Sequence, residues 1–283
     1  MTLTIFDKFW HKTLGRPYQL TRTIDVGQGQ SVVLLHGLGR SAAVWQHVVN
    51  DLKPFGVRIT AFDLLGFGDS PKPDRLNYDA DDHAMAVIAS LEKLKLPDPV
   101  VLVGHSMGCL VAMRVARLRP DLVRHLVLYE MPLHDGLPEK RRYKVLNQLY
   151  FRFYKRIISL QPNFETEDMK LAERLSRKFV GVDVTPETWQ PLVRSLENTI
   201  MKQTAADDIK NISAPMDVIY GSFDMLVIRG KAEQFYSDES DRKTYKVRAR
   251  HVISETASRF IVERIKSALG ADGAEPATRS VVA

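Results

Sequence analysis

The stretch Gly104-His105-Ser106-Met107-Gly108 sets one serine between two glycines, at the point where an apolar run changes character. Residues 99–103 are typical of a buried strand, and residues 109–116 are typical of a buried helix. A strand-to-helix reversal this short strains the backbone at its centre, and flanking glycines avoid collisions with the neighbouring chain. The pattern predicts that Ser106 projects from the carboxyl edge of a sheet, beside the free N–H groups of a helix N-terminus, as a nucleophile.

Strand-like and helix-like segments alternate along most of the chain. This alternation predicts an α/β fold, with a doubly wound, mainly parallel sheet covered by helices on both faces. An additional edge strand is expected at 22–26, joined to the next strand by a hairpin-type turn at 27–30. The predicted strands are 31–36, 57–62, 99–104, 124–129, 214–220 and 243–247, and the predicted helices are 41–52, 79–95, 106–119, 230–237 and 254–269.

The alternation stops between about 131 and 211, where helical patterns fill the sequence. An insertion at this point would stand above the carboxyl ends of the strands, where ligands bind in open parallel sheets. We therefore expect a core of residues 1–131 and 212–283 and a helical cap of residues 132–211. Prolines are expected to divide the cap into three or four short helices, at Pro132, Pro138, Pro162, Pro186 and Pro191.

Composition narrows the class of protein. Of the 283 residues, 45% are hydrophobic and 26% are charged, which fits an ordinary folded globular chain. No apolar run approaches the roughly 18 residues of a membrane span, and the N-terminal residues lack a secretory pattern, so a cytoplasmic location is expected. The single cysteine, Cys109, excludes an internal disulfide and a cysteine metal cluster. The eight histidines show no metal-ligand spacing, and we expect neither a metal nor a cofactor.

Positive charge is concentrated in one segment. The net charge is +6, and residues 139–160 carry seven basic residues against one acid, with aromatic residues between them. A basic amphipathic helix on a membrane or over a substrate entrance would fit. A solvated helix face with its aromatics packed inward is the favoured interpretation. A membrane anchor at Ile5, Phe6, Phe9 and Trp10 is likewise less favoured than packing on the domain, and no nucleic-acid motif is present.

A serine nucleophile needs a base, usually a histidine oriented by a carboxylate. Asp224 follows the predicted strand at 214–220, and His251 lies between the last strand and the last helix. The 27 residues between them accommodate one helix and one strand, so both loops should emerge at the same sheet edge as Ser106. The order Ser, Asp, His is the one expected when such a serine sits on this kind of sheet.

Two backbone N–H groups are needed to stabilise the oxyanion formed when the serine attacks a carbonyl. The amide of Met107, at the helix start, is one candidate. The loop from His36 to Gly39 supplies the other, because its glycines let the backbone approach a ligand and leave the Leu38 N–H pointing inward. His36 is expected to brace this loop.

These motifs together resemble the α/β-hydrolase superfamily, in its capped serine-hydrolase branch, over roughly residues 20–269. The resemblance implies an α/β-hydrolase fold with Ser106 as nucleophile, Asp224 as orienting acid and His251 as general base and acid. It also implies Leu38 and Met107 as the oxyanion donors. The motifs are 36–39, 63–70, 104–108, 221–224 and His251 with Glu255 after it.

Other residues in or beside these motifs have predicted roles of their own. Asp63 and Ser70 match a motif that the family uses mainly to build a loop, so we expect a structural role. Where the family often has glycines before its histidine, this chain has Ala249 and Arg250. Arg250 could narrow the site or reach toward an acidic group of the substrate, but a side chain that faces solvent is the favoured interpretation. Glu130 stands where some members carry their acid, although the loop of Asp224 matches the usual motif better.

A serine nucleophile indicates acyl transfer, and it disfavours the epoxide opening and dehalogenation of the branch with an aspartate nucleophile. We expect a hydrolase of small to medium, fairly apolar carboxylic esters. Apolar cap residues fit an acyl pocket or the cap's own core; they include Leu133, Leu137, Leu149, Phe153, Phe164 and Trp189. Alternatives are a carbon–carbon bond hydrolase of ring-cleavage dienoates, a lactonase, and a non-enzymatic ligand-binding module on the same fold.

Overall fold

The computed structural model describes residues 11, 15–133, 141–160, 166, 170, 184–224 and 242–270, with side chains in 141–147 given only for Val145. The predicted helix at 230–237 lies outside these residues, as does the N-terminal segment considered as a membrane anchor.

Among the described residues, seven strands form one sheet, and six of them are parallel. The strand order is β1-β3-β2-β4-β5-β6-β7, and only β1 runs antiparallel, against β3. The α/β fold with a mainly parallel sheet is thus confirmed, and β4 lies near the centre. The strands are β1 Arg22–Val26, β2 Ser31–Leu35, β3 Arg58–Phe62, β4 Val100–His105, β5 Val123–Tyr129, β6 Met216–Gly221 and β7 Arg242–Val247.

Seven α-helices are described. A 3-10 turn at Ala42–Trp45 leads into the first, and a π-helical turn at Leu196–Met201 directly follows the fifth. The helices are α1 Gln46–Leu52, α2 Ala80–Leu94, α3 Met107–Leu118, α4 Arg141–Ile158, α5 Pro186–Ser195, α6 Ala205–Lys210 and α7 Glu255–Ala268.

Alternate residues of the central strands feed two separate cores. Val33 and Leu35 of β2 pack in the cluster that includes α2 and α3, whereas Val32 and Leu34 pack in the cluster that includes α1 and α7. Side chains alternate between faces along a strand, so the apolar run of β2 is buried twice. The sheet is therefore held rigidly between two helical layers, with its carboxyl edge left to build a site.

The predicted hairpin between β1 and β2 is wrong. Strand β2 already pairs with β3 on one side and β4 on the other, so β1 has only the outer edge of β3 to join. The turn at 27–30 instead packs against the segment before β3. A Cβ on Gly27, where φ is +80°, would lie 2.1 Å from the Val57 carbonyl oxygen, and this close contact explains the glycine.

The segment between β5 and β6 contains helices α4, α5 and α6 and no described strand. The first is 18 residues long, rather than one of several short helices. Pro186 begins α5 as expected, but Pro191 lies inside that helix and does not end it. Pro191 is instead buried against Gly66 of the core. The contact is so close that a Cβ added to Gly66 would lie 2.5 Å from the Pro191 Cβ.

Candidate active site

Ser106 occupies the turn between β4 and α3 with a strained backbone. Its φ of 53° and ψ of −120° are unusual for a residue with a side chain. A Cβ on Gly104 would lie 2.6 Å from the Cys109 Cα, and one on Gly108 would lie 2.3 Å from the Leu35 carbonyl oxygen. Both glycines are therefore required by contacts with backbone, as the sequence predicts.

His251 and Asp224 are brought together by loops that follow adjacent strands. The distance from His251 Nδ1 to Asp224 Oδ2 is 2.7 Å, and the carboxyl side chain is completely buried, whereas the imidazole is 21% exposed. An ionised carboxylate only accepts hydrogen bonds, so Nδ1 carries the proton and Nε2 of a neutral ring is left as a base. The arrangement can take a proton from a neighbouring hydroxyl and hold the resulting imidazolium.

The loop at 36–39 lies directly against the serine. A Cβ on Gly37 would lie 3.0 Å from the Ser106 Cβ, so a larger residue would require the serine to shift by a few tenths of an ångström. The Gly37 carbonyl accepts a hydrogen bond from the Arg40 N–H at 3.2 Å, which forms a tight turn around Leu38. Met107 is the first residue of α3, and its N–H therefore has no acceptor within the helix.

His36 braces this loop, as expected. The Leu64 N–H donates to His36 Nε2 at 2.8 Å, which leaves Nδ1–H to donate to the Gly37 carbonyl at 2.8 Å. Complete burial lowers the pKa of His36 to about 4. The ring is neutral near pH 7 and has a structural role.

Asp63 and Ser70 also hold loops together. Asp63 Oδ1 accepts the Ala42 N–H at 2.7 Å, and its Oδ2 accepts the Asp69 N–H at 2.9 Å. Ser70 Oγ donates to the Asp63 carbonyl at 2.5 Å and accepts the Thr21 N–H at 2.8 Å. These bonds confirm the structural role that the sequence indicates.

Glu130 lies close behind the Asp–His pair. It is completely buried, has a φ of 55°, and accepts the Gly221 N–H at 2.6 Å through Oε1. Ligand atoms of Glu130, Asp224 and His251 all lie within 4.8 Å of one another, a spacing that would also suit a cation. Asp224 makes the hydrogen bond to His251 Nδ1, and Glu130 is the second buried carboxyl group beside that pair.

The loop before His251 is held by contacts that the sequence analysis does not identify. The Tyr129 hydroxyl donates to the Arg250 carbonyl at 2.6 Å, and His105 Nε2 lies 2.8 Å from the His251 carbonyl. The only sequence signal is the position of His105 immediately before Ser106. Arg250 itself has an exposed side chain, as expected.

The described end of the basic helix α4 differs from the favoured interpretation. Tyr154 packs inward, but Leu149 and Phe153 are 54% and 58% exposed, so the aromatic residues do not all face the core. Leu133 is buried in the core, and Trp189 is half-buried against it. Leu137 and Phe164 lie outside the described residues.

Two further apolar side chains adjoin the site. Phe223, which precedes Asp224, is 55% exposed, and Val252, which follows His251, is 48% exposed. Apolar surface therefore flanks the Asp–His pair. None of the helices in the described ranges has the length and apolar character needed to cross a bilayer.

Known proteins resemble this chain over parts or most of its length. A pimeloyl-[acyl-carrier protein] methyl ester esterase from Vibrio campbellii is 40% identical over 103 residues, which are 36% of this chain and 37% of that protein. A 2-hydroxy-6-oxo-6-(2'-aminophenyl)hexa-2,4-dienoic acid hydrolase from Metapseudomonas resinovorans is 35% identical over 111 residues, 38% of each chain. These matches span less than two fifths of either relative.

Agreement in three dimensions extends further. The structure of a thermophilic esterase from Thermogutta terrifontis has a TM-score of 0.65 and 21% identity, with 89% of this chain and 97% of that one covered. At this identity the likeness concerns the fold. The sequence pattern of the alpha/beta hydrolase family matches residues 32–267. The chain therefore belongs to the alpha/beta hydrolase family.

Proposed function

We propose that this protein is a serine hydrolase that cleaves small to medium carboxylic esters through an acyl-enzyme on Ser106. The observation that carries the proposal is the 2.7 Å hydrogen bond between His251 Nδ1 and Asp224 Oδ2. Residues 27 positions apart form this pair, on loops at the same edge of the parallel sheet as the strained turn of Ser106.

In the first half of the reaction, His251 Nε2 removes the proton from the Ser106 hydroxyl as the oxygen attacks the ester carbonyl. Asp224 keeps the imidazole in the required tautomer and stabilises its positive charge. The carbonyl oxygen becomes an oxyanion, which accepts hydrogen bonds from the backbone N–H groups of Leu38 and Met107. One such donor is worth about 3 kcal/mol of transition-state stabilisation.

In the second half, His251 donates its proton to the alcohol leaving group, and the alcohol departs. Water then attacks the acyl-enzyme while His251 again acts as base, and the acid is released with Ser106 restored. No metal or cofactor takes part in this scheme.

We propose that the cap of residues 132–211 selects the acyl group of the substrate. Its helix α5 is anchored to the core by a hydrogen bond between Ser195 Oγ and His83 Nε2, 3.0 Å apart. The next turn is anchored by the Thr199 hydroxyl, which donates to the Tyr78 carbonyl at 2.8 Å. The exposed Phe223 and Val252 beside the Asp–His pair favour an apolar ester over a highly charged one.

A second candidate function is hydrolysis of a carbon–carbon bond in a ring-cleavage dienoate. It is supported by the 35% identity over 111 residues to the dienoic acid hydrolase from Metapseudomonas resinovorans. The same serine, histidine and oxyanion donors would serve both reactions, so the chemistry of the substrate decides between them.

A substrate panel tests the proposal. The full chain is assayed with p-nitrophenyl esters of increasing acyl length, with lactones and with a ring-cleavage dienoate. We expect ester hydrolysis to be fastest, and we expect Ser106→Ala to reduce it by at least about 1,000-fold. Ser90→Ala is the matched control, because Ser90 is also a buried serine but lies in α2, where its hydroxyl donates to the Ala86 carbonyl. Activity that survives Ser106→Ala would contradict the mechanism, and a faster dienoate reaction would favour the second candidate.

A further inference from the structure

The segment that carries His251 begins at the end of an edge strand. Within the described part of the chain, strand β7 pairs only with β6, and most of its side chains are half-buried or exposed. The loop that follows it is connected to the neighbouring elements by hydrogen bonds to the carbonyls of residues 247–251.

Four carbonyl groups in that segment have identified donors. The Ser222 and Phe223 N–H groups donate to the carbonyls of Val247 and Ala249, at 2.7 and 3.0 Å, and tie the loop to that of Asp224. The remaining two donors are the side chains of Tyr129, to Arg250, and His105, to His251. These two side chains tie the loop to the centre of the sheet.

His105 and Tyr129 are direct partners in the sheet. They face each other in the register of β4 and β5, and their rings stack with centroids 5.7 Å apart. Trp45 meets the His105 ring edge-on at 6.3 Å. The two donors thus stand side by side on rigid strands, and their rings are fixed by packing.

The hydrogen-bond pattern determines the state of His105. A carbonyl oxygen can only accept, so the proton of the neutral ring is on Nε2. Burial and the neighbouring His251 hold the pKa of His105 well below its usual range. Among the described residues, its Nδ1 has no hydrogen-bond partner. His105 therefore stays neutral, and it does not compete with His251, 5.1 Å away between ring centroids, for the serine proton.

We propose that His105 and Tyr129 are positioning residues that form a clamp, which holds the backbone of His251 in register with Ser106. His105 is suited to this role because it directly precedes Ser106 in the chain, so one residue fixes the separation between nucleophile and base. The inference rests on the proposed function, in which His251 is the base. A small displacement of a catalytic base lowers the reaction rate more than it weakens the binding of substrate.

Three variants test the clamp. His105→Leu removes the donor, and we expect kcat to fall by about 10- to 100-fold while KM changes by less than about twofold. His105→Gln should recover most of this loss, since its amide nitrogen can reach the position of Nε2. Tyr129→Phe removes one hydroxyl only and should lower kcat by about threefold. Ser90→Ala, which loses a buried hydrogen bond away from the site, should leave kcat unchanged.

Two kinetic results would contradict the clamp. A kcat within twofold of wild type for both His105→Leu and Tyr129→Phe, with Ser106→Ala inactive, would overturn the clamp and leave the proposed function standing. A folded His105→Gln that is no more active than His105→Leu would show that the ring only packs. If His105→Leu does not fold, Tyr129→Phe and His105→Gln decide the question.

A spectroscopic measurement does not depend on the substrate. The proton between His251 Nδ1 and Asp224 gives a strongly downfield NMR signal in a triad of this kind. We expect that signal to broaden or move in His105→Leu and to return in His105→Gln. An unchanged signal in His105→Leu would overturn the clamp even if no ester tested is a substrate.

Discussion

The two halves of the candidate site are held in place by different means. The turn of Ser106 lies between central strand β4 and helix α3, and contacts between backbone atoms and glycine positions fix it. The loop of His251 follows edge strand β7, and hydrogen bonds from Tyr129 and His105 hold its carbonyls. The serine half is fixed by close backbone contacts that leave no room for side chains at the glycine positions. The histidine half is fixed by specific hydrogen-bond donors.

This difference predicts different failures. The contacts around Ser106 involve backbone atoms of neighbouring segments, which cannot move aside as a flexible side chain can. A methyl group added beside Ser106 must therefore displace backbone and damage the fold. The hydrogen bonds from Tyr129 and His105 to the loop of His251 can be lost singly, which would leave a folded protein with a displaced histidine. Variants in the serine half should therefore lose stability, and variants in the histidine half should lose rate.

The largest effect is expected from Asp224→Asn in the histidine half. The amide would favour the wrong tautomer of His251, and kcat should fall by about 10⁴-fold while the free energy of unfolding changes little. Glu130→Gln is the matched variant at the neighbouring buried carboxyl group, and it should lower kcat by less than about tenfold. Steady-state kinetics and urea unfolding measure both. If Asp224→Asn stays within a few-fold of wild type, Glu130 is the acid.

Gly108→Ala tests the serine half. Its Cβ would lie 2.3 Å from the Leu35 carbonyl oxygen and 2.6 Å from that of His36, and neither can move without distorting β2. We expect a loss of about 3 kcal/mol in the free energy of unfolding, or no folded protein. Gly56→Ala is the control, because its Cβ would meet nothing within 4 Å, and it should cost only about 1 kcal/mol of left-handed strain. Equal losses in the two variants would contradict the steric account.

The sequence predicts the serine half better than the histidine half, for the same physical reason. Glycine spacing around Ser106 is a local signal, and so are the apolar runs, whose predicted bounds agree with the strands within about two residues. The role of Tyr129 depends on a residue 121 positions away, which no local pattern reveals. The pairing of β1 with β3 and the place of Pro191 inside α5 are also tertiary outcomes, and both differ from the prediction.

Acid should weaken both halves, because each relies on a buried neutral histidine whose pKa is lowered by burial: His36 in the loop against Ser106, and His105 in the contact with the His251 carbonyl. Burial lowers the pKa of His36 to about 4, and that of His83, outside both halves, to about 3. Between pH 6.5 and these values the unfolded chain binds more protons than the folded one, so the free energy of unfolding falls as the pH falls.

From pH 7 to pH 5 the expected loss is about 2 kcal/mol for each such histidine. Urea unfolding at the two pH values measures it. In His83→Leu, the fall in the free energy of unfolding between pH 7 and pH 5 should be about 2 kcal/mol smaller than in wild type. This test is independent of the active site, because His83 lies outside both halves. The same pH dependence in wild type and His83→Leu would contradict the assignment of a depressed pKa to that ring.

The central claim is that Ser106 is the nucleophile. The most direct measurement is the intact mass and peptide map of the full chain after reaction with a fluorophosphonate. We predict a single phosphonyl adduct, located on the peptide that contains Ser106 and absent from Ser106→Ala, with Ser90→Ala labelled like wild type. An adduct on another residue, equal labelling of Ser106→Ala, or no adduct on the wild-type protein would contradict the claim, and the last result would favour a ligand-binding module on the same fold.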